Sequence, residues 1–391
     1  MQRLFARAHD ASPFVVGAEF TVAKIHESAF AVKWDRLVSA RSGAIERSGS
    51  GVIRMVANAI SVGLIDVAKR AGVSVSTASK ALNGKRDVSA ETVERVENAA
   101  RELNYRPNPI ARGLGSGSTG TVGILTSDLE GRFALPILMG VEDAFGMDRV
   151  LTFLCDARGD EVRESRLVEL LLEHRVDGIV VVGRQPDPRP PIRDLPVPVV
   201  YAYAPSQVEG DCSVVVDNVA IGRLAAEHLL ASGRRRIAHV SGEVGHGAAL
   251  ERFRGFSERL RADSLAPVGE PLFGLWTEQW GREATRRILG SGEQVDAVFC
   301  ASDQLARGAI DALVEAGLDV PGDVAVIGVD NWEVIAEGAS VPLTTIDMRL
   351  QRLGRVAASQ LASAIGGETQ SGITRLEGVV VHRRSTIPSF S

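Results

Sequence analysis

Val75, Ser76, Ser79, Lys80 and Asn83, with Thr77 at their margin, lie along one side of a short segment whose other side carries Ala78, Ala81 and Leu82. Hydroxyl, ammonium and amide groups at this spacing are the donors and acceptors that read base edges in a major groove. The small apolar residues behind them let such a helix sit close to a support. Five basic residues, Lys69, Arg70, Lys80, Lys85 and Arg86, fall between Val67 and Arg86 with no acid among them, although the whole chain has a formal charge of −5. The positive charge is therefore local. A phosphate-facing surface needs that, because counterion release supplies most of the sequence-independent affinity for DNA.

A second set of chemical groups recurs at the ends of short apolar runs: Thr126-Ser127-Asp128, Cys155-Asp156, Gly183-Arg184, Tyr203, Ser241-Gly242, Trp276, Ser302-Asp303 and Asp330-Asn331-Trp332. Aromatic faces beside hydroxyl-bonding groups suit a sugar or a nucleoside. Each residue taken singly reads as loop chemistry or packing, with Ser302 and Asp303 as helix caps and Trp280 as a core aromatic. The shared character of all these ends makes a pocket the better reading.

The elements that must position both sets follow from periodicity. Leu64, Val67, Ala68 and Ala71 make one face of a first helix, Gly72 stops it, Ser74 caps a second, and Val73 and Ala78 stand as a hydrophobic staple. Ser89 caps a third helix bearing Val93, Val96, Ala100 and Leu103. From Thr121 onward, strands are predicted at 121–125, 150–154, 178–182 and 197–201, and, after a crossing near Asp217, at 236–240, 271–275, 297–300 and 324–327. Helices are predicted between them at 164–174, 221–231, 253–260 and 304–316. Strands alternating with helices mean parallel sheets, here two doubly wound subdomains of four strands each, with ligands beyond the carboxyl ends of the strands.

Asp66-Val-Ala-Lys-Arg-Ala-Gly-Val-Ser74, Ser79-Lys-Ala-Leu-Asn-Gly84 and Leu103-Asn-Tyr-Arg-Pro-Asn108, followed by Ala111-Arg112-x-Leu114, resemble the headpiece of the LacI/GalR family of bacterial transcription regulators. The likeness continues through Asp217-Asn218, Gly233–Gly242, Arg252-x-x-Gly255-Phe256, Ser302-Asp303-Gln-x-Ala-x-Gly308, Gly328-Val-Asp330, Pro342-Leu-Thr-Thr345 and Arg384-Ser-Thr386. It implies an all-α helix-turn-helix headpiece joined to an α/β, periplasmic-binding-protein-like core. It also implies DNA contacts at Tyr105, Asn108, Arg112 and Leu114, with Leu114 as a minor-groove wedge in a hinge helix. Gly113, Gly115 and Gly117 weaken that helix, by about 1 kcal/mol for each interior glycine. The expected effector site comprises Ser127, Phe133, Tyr203, Arg252, Trp276, Ser302, Asp303, Asp330 and Trp332, and the resemblance implies that Arg252 donates to ligand oxygens and Asp330 accepts from hydroxyls. Ser302 stands where the family often has Asn, and Tyr203 near a common acid, so a simple hexose is a less secure ligand than the fold alone suggests.

The expected organisation is an unassigned extension over 1–58, a headpiece over 59–107, a hinge over 108–118 and a core over 119–391. The first subdomain of the core spans about 119–216 and 349–376, and the second about 217–348 and 377–391. The extension reads as a disordered tail or as the product of a mis-assigned translation start, and both remain open. With 391 residues and 45% hydrophobic content the chain can bury more than one core. Three widely spaced cysteines, Cys155, Cys212 and Cys300, suggest neither a disulfide frame nor a metal site, and no secretory leader or membrane span is evident.

The expected function is a cytoplasmic, ligand-responsive repressor acting as a homodimer on a pseudo-palindromic operator, with a sugar-like effector and no cofactor. Two other classes compete. A transporter's solute-binding protein would carry an export signal and lack the helix-turn-helix. An α/β enzyme could use Asp128, Asp156, Asp303 and Asp330, but the chain shows no phosphate loop, metal spacing or nucleophile elbow.

Overall fold

The computed structural model describes residues 62–82, 87–105, 118–146, 150–368 and 370–387, and the chain divides into two units, Met1–Arg106 and Pro107–Ser391. The extension over 1–58, and Asn83, Asn108, Arg112 and Leu114, lie outside the described residues.

In the first unit, α1 (Leu64–Ala71), α2 (Val75–Leu82) and α3 (Ala90–Glu102) enclose a core of Val67, Ala68, Ala71, Ala78, Ala81, Val96, Ala99 and Ala100. Gly72 takes a left-handed conformation, φ 69°, and its N–H closes the end of α1. That turn is open to glycine at no steric cost, so two short helices can meet at a sharp corner. Ser74 Oγ accepts from the Thr77 N–H at 3.1 Å, and Ser89 Oγ from the Thr92 N–H at 3.4 Å. Alanines dominate the interface, so the helices approach closely and the outer face of α2 is held rigidly.

The second unit contains two six-stranded sheets. In chain order the elements are β1 (Thr121–Thr126), α4 (Ala134–Gly146), β2 (Leu151–Asp156), α5 (Glu161–Glu173), β3 (Gly178–Val182), β4 (Val199–Ala202) and β5 (Ser213–Val216). Then follow α6 (Asn218–Ala231), β6 (Ile237–Ser241), α7 (Gly247–Ala262), β7 (Leu272–Phe273), α8 (Glu278–Gly290), β8 (Ala297–Cys300), α9 (Asp303–Glu315) and β9 (Ala325–Val329). The chain closes with α10 (Glu333–Ala336), β10 (Thr344–Asp347), α11 (Leu350–Ile365), β11 (Ile373–Leu376) and β12 (Val379–Val381).

The first sheet runs β11-β5-β4-β3-β1-β2 and is parallel throughout; the second runs β12-β10-β9-β8-β6-β7, with β12 antiparallel to β10. The expectation of four strands per sheet is thus corrected to six. The missed strands are short: β5 abuts the Asp217 cap of α6, β10 is Thr-rich, and β11 and β12 are separated by only two residues. After β10 the chain returns through α11 to pair β11 with β5 in the first sheet, and β12 then joins the second.

Helix α7 packs on α6 through Gly222 and Gly255, where an added Cβ would fall 1.9 Å from the carbonyl oxygens of Arg252 and Val219 respectively. That close approach explains the glycine three residues after Arg252. It also fixes the backbone from which Arg252 reaches the strand ends.

Candidate effector site and DNA-reading face

On the headpiece, α2 exposes Val75, Ser76 and Lys80, half-buries Thr77, and buries Ala78 and Ala81. Ser74 Oγ lies 2.9 Å from Ser76 Oγ and 2.8 Å from Thr77 Oγ1, so both hydroxyls start from a defined local network. Lys80 Nζ is 3.7 Å from Asp87, and Arg70 pairs with Glu102 at 2.5 Å. These acids lie beyond the acid-free window of sequence, so both Lys80 and Arg70 have intramolecular partners. Lys80 is still half-exposed and its exposed partner costs little to leave. Tyr105, expected at the DNA, packs half-buried against the headpiece core.

Lys80→Ala is expected to reduce discrimination between operator and random DNA by about 1–3 kcal/mol, the worth of one base-reading contact. Fluorescence anisotropy with both DNAs checks it. An unchanged ratio would mean that α2 presents another edge.

In the core, several strand ends meet across the two halves. Arg132, in the loop after β1, donates from Nη2 to Asp330 Oδ2 at 2.5 Å and from Nη1 to Gln304 Oε1 at 3.1 Å. Its guanidinium lies 4.5 Å from the centre of the Phe133 ring and 4.7 Å from that of Trp332. Phe133 and Tyr203 are in ring contact at 5.6 Å. Arg132 Nε is buried without a hydrogen-bond partner. A cation between two aromatic faces, held by one carboxylate, therefore joins the halves.

Arg252 is buried and bonded through each nitrogen: Nε to Asn218 Oδ1 at 3.0 Å, Nη1 to the Ala301 carbonyl at 2.6 Å and Nη2 to Met348 Sδ at 3.2 Å. Its Nη1 also stands 3.9 Å from Asp330 Oδ1. Burial raises the pKa of the Asp330 carboxyl, against the pull of Arg132 and Arg252. Asp303 accepts from the Trp332 N–H at 2.7 Å and from Thr345 Oγ1 at 2.5 Å. Burial, and then the nearby Asp330 charge, push its carboxyl up to about 8. Burial also raises the Tyr203 phenol well above its ordinary value.

The nine expected effector residues thus divide. Phe133, Tyr203, Arg252, Asp303, Asp330 and Trp332 converge around Arg132. Ser302 caps α9, its Oγ accepting from the Leu305 N–H at 3.3 Å. Trp276 lies against Gly242 and edge-on to His246, with ring centres 6.0 Å apart. Trp280 packs on the second hydrophobic core and donates from Nε1 to the Ser241 carbonyl at 3.0 Å. Ser127 lies at the end of β1, where it lines a cavity in the first half of the core.

Sequence reasoning missed Arg132, Gln304 and Asp187. Asp187 Oδ1 accepts from the Gly247 N–H at 2.9 Å and makes a second junction between the halves. The usable signal for Arg132 was its place beside Phe133, in a loop already marked by its strand end. Of the four carboxylates an enzyme could use, Asp128 and Asp156 serve their own loops, accepting from the Gly131 and Arg158 N–H groups. They do not join Asp303 and Asp330.

A three-helix DNA-reading headpiece and a two-lobed parallel-sheet core with polar groups gathered at its strand ends define a ligand-responsive, DNA-binding transcriptional regulator. The comparisons agree. The family described as "Bacterial regulatory proteins, lacI family" matches residues 63–108, and "Periplasmic binding protein-like domain" matches residues 226–386. The chain is 34% identical over 307 residues to the HTH-type transcriptional repressor PurR of Mannheimia succiniciproducens, covering 77% of this chain and 91% of that protein. It is 35% identical over 327 residues to the ribose operon repressor of Escherichia coli, covering 82% of this chain and 98% of that protein. A crystal structure of the lac repressor dimer bound to operator and the anti-inducer ONPF matches with a TM-score of 0.67 and 29% identity, over 83% of this chain and 99% of that one. The chain belongs to the lacI family of bacterial regulatory proteins. No helix among the described residues is long and apolar enough to cross a membrane.

Proposed function

We propose that the protein is a repressor that binds a pseudo-palindromic operator as a homodimer in the cytoplasm, without catalytic activity, and that a sugar-like effector binds between the halves of its core. The observation that carries this reading is the junction of Arg132 and Asp330 between Phe133 and Trp332, because groups from both halves meet there. A ligand that engages both sides stabilises one angle between them, and only such differential affinity can shift the equilibrium. Residues 108–118 would pass the change to the headpieces.

The sugar-like effector is supported by aromatic faces beside hydrogen-bonding groups at the strand ends, and by the name of the ribose operon repressor among the relatives. The homodimer is supported by an apolar surface on the edge of the first sheet. Leu135 and Met139 on α4, and Leu151 and Leu154 on β2, are each at least half exposed, on an edge strand that proteins normally cover or charge.

Selection from random duplexes with the full chain tests the DNA-binding reading. It is expected to enrich a two-fold-related sequence whose affinity falls steeply with salt. Enrichment of an asymmetric site, or of none, would contradict it.

A further inference from the structure

A cavity of about 830 Å³ lies wholly within the first half of the core. It begins at Ser127, Gly183 and Ala204, at the carboxyl ends of β1, β3 and β4, and runs outward between α5 and the loop 183–195. None of its lining residues comes from the second half.

The walls are preformed. Three prolines, Pro188, Pro190 and Pro191, restrict the loop, and four bonds pin it. Arg189 donates from its N–H to the Pro205 carbonyl at 2.9 Å and from Nη2 to Glu164 Oε1 on α5 at 2.5 Å, in a largely buried pair. The Gln207 N–H donates back to the Arg189 carbonyl at 2.9 Å, and the Ile192 N–H donates to the Tyr201 hydroxyl at 2.8 Å. An irregular loop held in this way does not fall into the space beside it, and a ligand entering pays little to order the site.

The lining mixes apolar surface with both signs of charge: Arg184, Arg189 and Arg193 against Asp160, Glu161, Glu164 and Asp187. Such a wall suits a neutral ligand rich in groups that both donate and accept. Asp187 both lines this cavity and touches the second half. Its Oδ1 takes the Gly247 N–H from the second half, while its Oδ2 is buried with no partner. A buried carboxylate oxygen left unpaired is costly, and a ligand hydroxyl would satisfy it.

We propose that this cavity is the outer part of the effector site, so that one sugar ring binds between the halves and the rest of the molecule passes Asp187 into the first half. The effector is then an oligosaccharide of two or more units. Pockets that enclose drug-sized ligands span roughly 300–1,000 Å³, and this one is near the top of that range. The inference rests on the sugar reading proposed above.

Titration calorimetry of the full chain with three length series tests it: glucose, cellobiose and cellotriose; xylose, xylobiose and xylotriose; and galactose with its β-1,4-linked dimer and trimer. In the series that binds, affinity is expected to rise at least tenfold from the first member to the second. Ser165→Trp places a ring in the cavity from the exposed side of α5, and Asp187→Ala removes the carboxylate at its mouth. Both are expected to bring the longer sugars down to the affinity of the monosaccharide, and Ser165→Trp to leave operator binding unchanged. A monosaccharide that binds as tightly as its longer forms, or longer sugars indifferent to both substitutions, overturns the inference and leaves the sugar reading standing. If no series binds, the sugar reading fails and the inference falls with it.

Discussion

Arg252→Ala is expected to lower the stability of the core by about 3–5 kcal/mol, the loss typical when one member of a buried charge pair is removed. The side chain ties three elements together, bonding Asn218 at the start of α6, the Ala301 carbonyl beyond β8 and Met348 beyond β10, while facing Asp330. Its loss leaves two buried oxygen acceptors, on Asn218 and Ala301, unpaired, each costing about 1–3 kcal/mol, and leaves Asp330 to Arg132 alone. Chemical denaturation measures the drop. A double-mutant cycle with Asp330→Asn separates the pair from the rest, and the two substitutions together are expected to cost less than their sum. A strictly additive cycle, or a loss below about 1 kcal/mol, would mean that the arginine is not tied to Asp330 as the geometry indicates.

The second large effect is acid destabilisation centred on His239. The imidazole is buried among Phe253, Phe256 and Phe299, with ring centres 5.3, 5.5 and 4.7 Å away. Its Nδ1 donates to the Phe299 carbonyl at 3.0 Å and its Nε2 has no partner. Burial pushes its pKa down to about 3, and the Arg252 charge pushes the same way against the Phe299 bond. The unfolded chain therefore binds this proton first, so the contribution of His239 is lost as pH falls from about 6.5 toward 3. It amounts to about 3 kcal/mol by pH 4. His228, pushed down to about 4 by burial and by His382, adds to the loss.

Asp303 works in the opposite sense. Its folded pKa of about 8 lies above the ordinary carboxylate value, so its contribution is complete at low pH and is lost as pH rises through 8. Asp330, likewise raised by burial, works in the same sense, so above about pH 6.5, where the histidines no longer contribute, the two carboxyls lower stability together. Stability should thus fall as pH rises above about 6.5, and below it the histidines oppose that trend. His239→Phe should weaken that opposition, and Asp303→Asn should flatten the alkaline side. Thermal unfolding at a series of pH values checks this, and a profile flat from pH 4 to 8 would refute both assignments.

Much of this was legible in the sequence, for identifiable reasons. The headpiece announces itself because its core is built from alanines at helical spacing, with Gly72 at a corner where a left-handed residue is needed. The long central strands, such as β3 with every residue buried, read as unbroken apolar runs. β10 to β12 did not, because each carries only three or four residues, and β11 and β12 also pair with strands distant in sequence.

Of the site, Asp330 and Trp332 were reachable from their positions after a strand. Arg132 had only its place beside Phe133 to mark it, because its importance lies in a bond to a residue 198 positions away. Arg252 was marked by family resemblance as a ligand donor, but nothing in its neighbours revealed that all its nitrogens would already be bonded to the protein. The acids beside Lys80 and Arg70 were invisible to a charge count over one window, for the same reason.

The measurement that bears most directly on the account is operator affinity of the full chain with and without a ligand shown to bind the core, compared between the unsubstituted protein and Asp330→Asn. If the halves are coupled to the headpieces through the junction of Arg132 and Asp330, saturating ligand changes the unsubstituted protein's operator affinity by at least about tenfold, a coupling of about 1.4 kcal/mol. Asp330→Asn should bind the operator and lose that change. A ligand that binds the core while operator affinity stays the same, or an Asp330→Asn protein that responds in full, would contradict it.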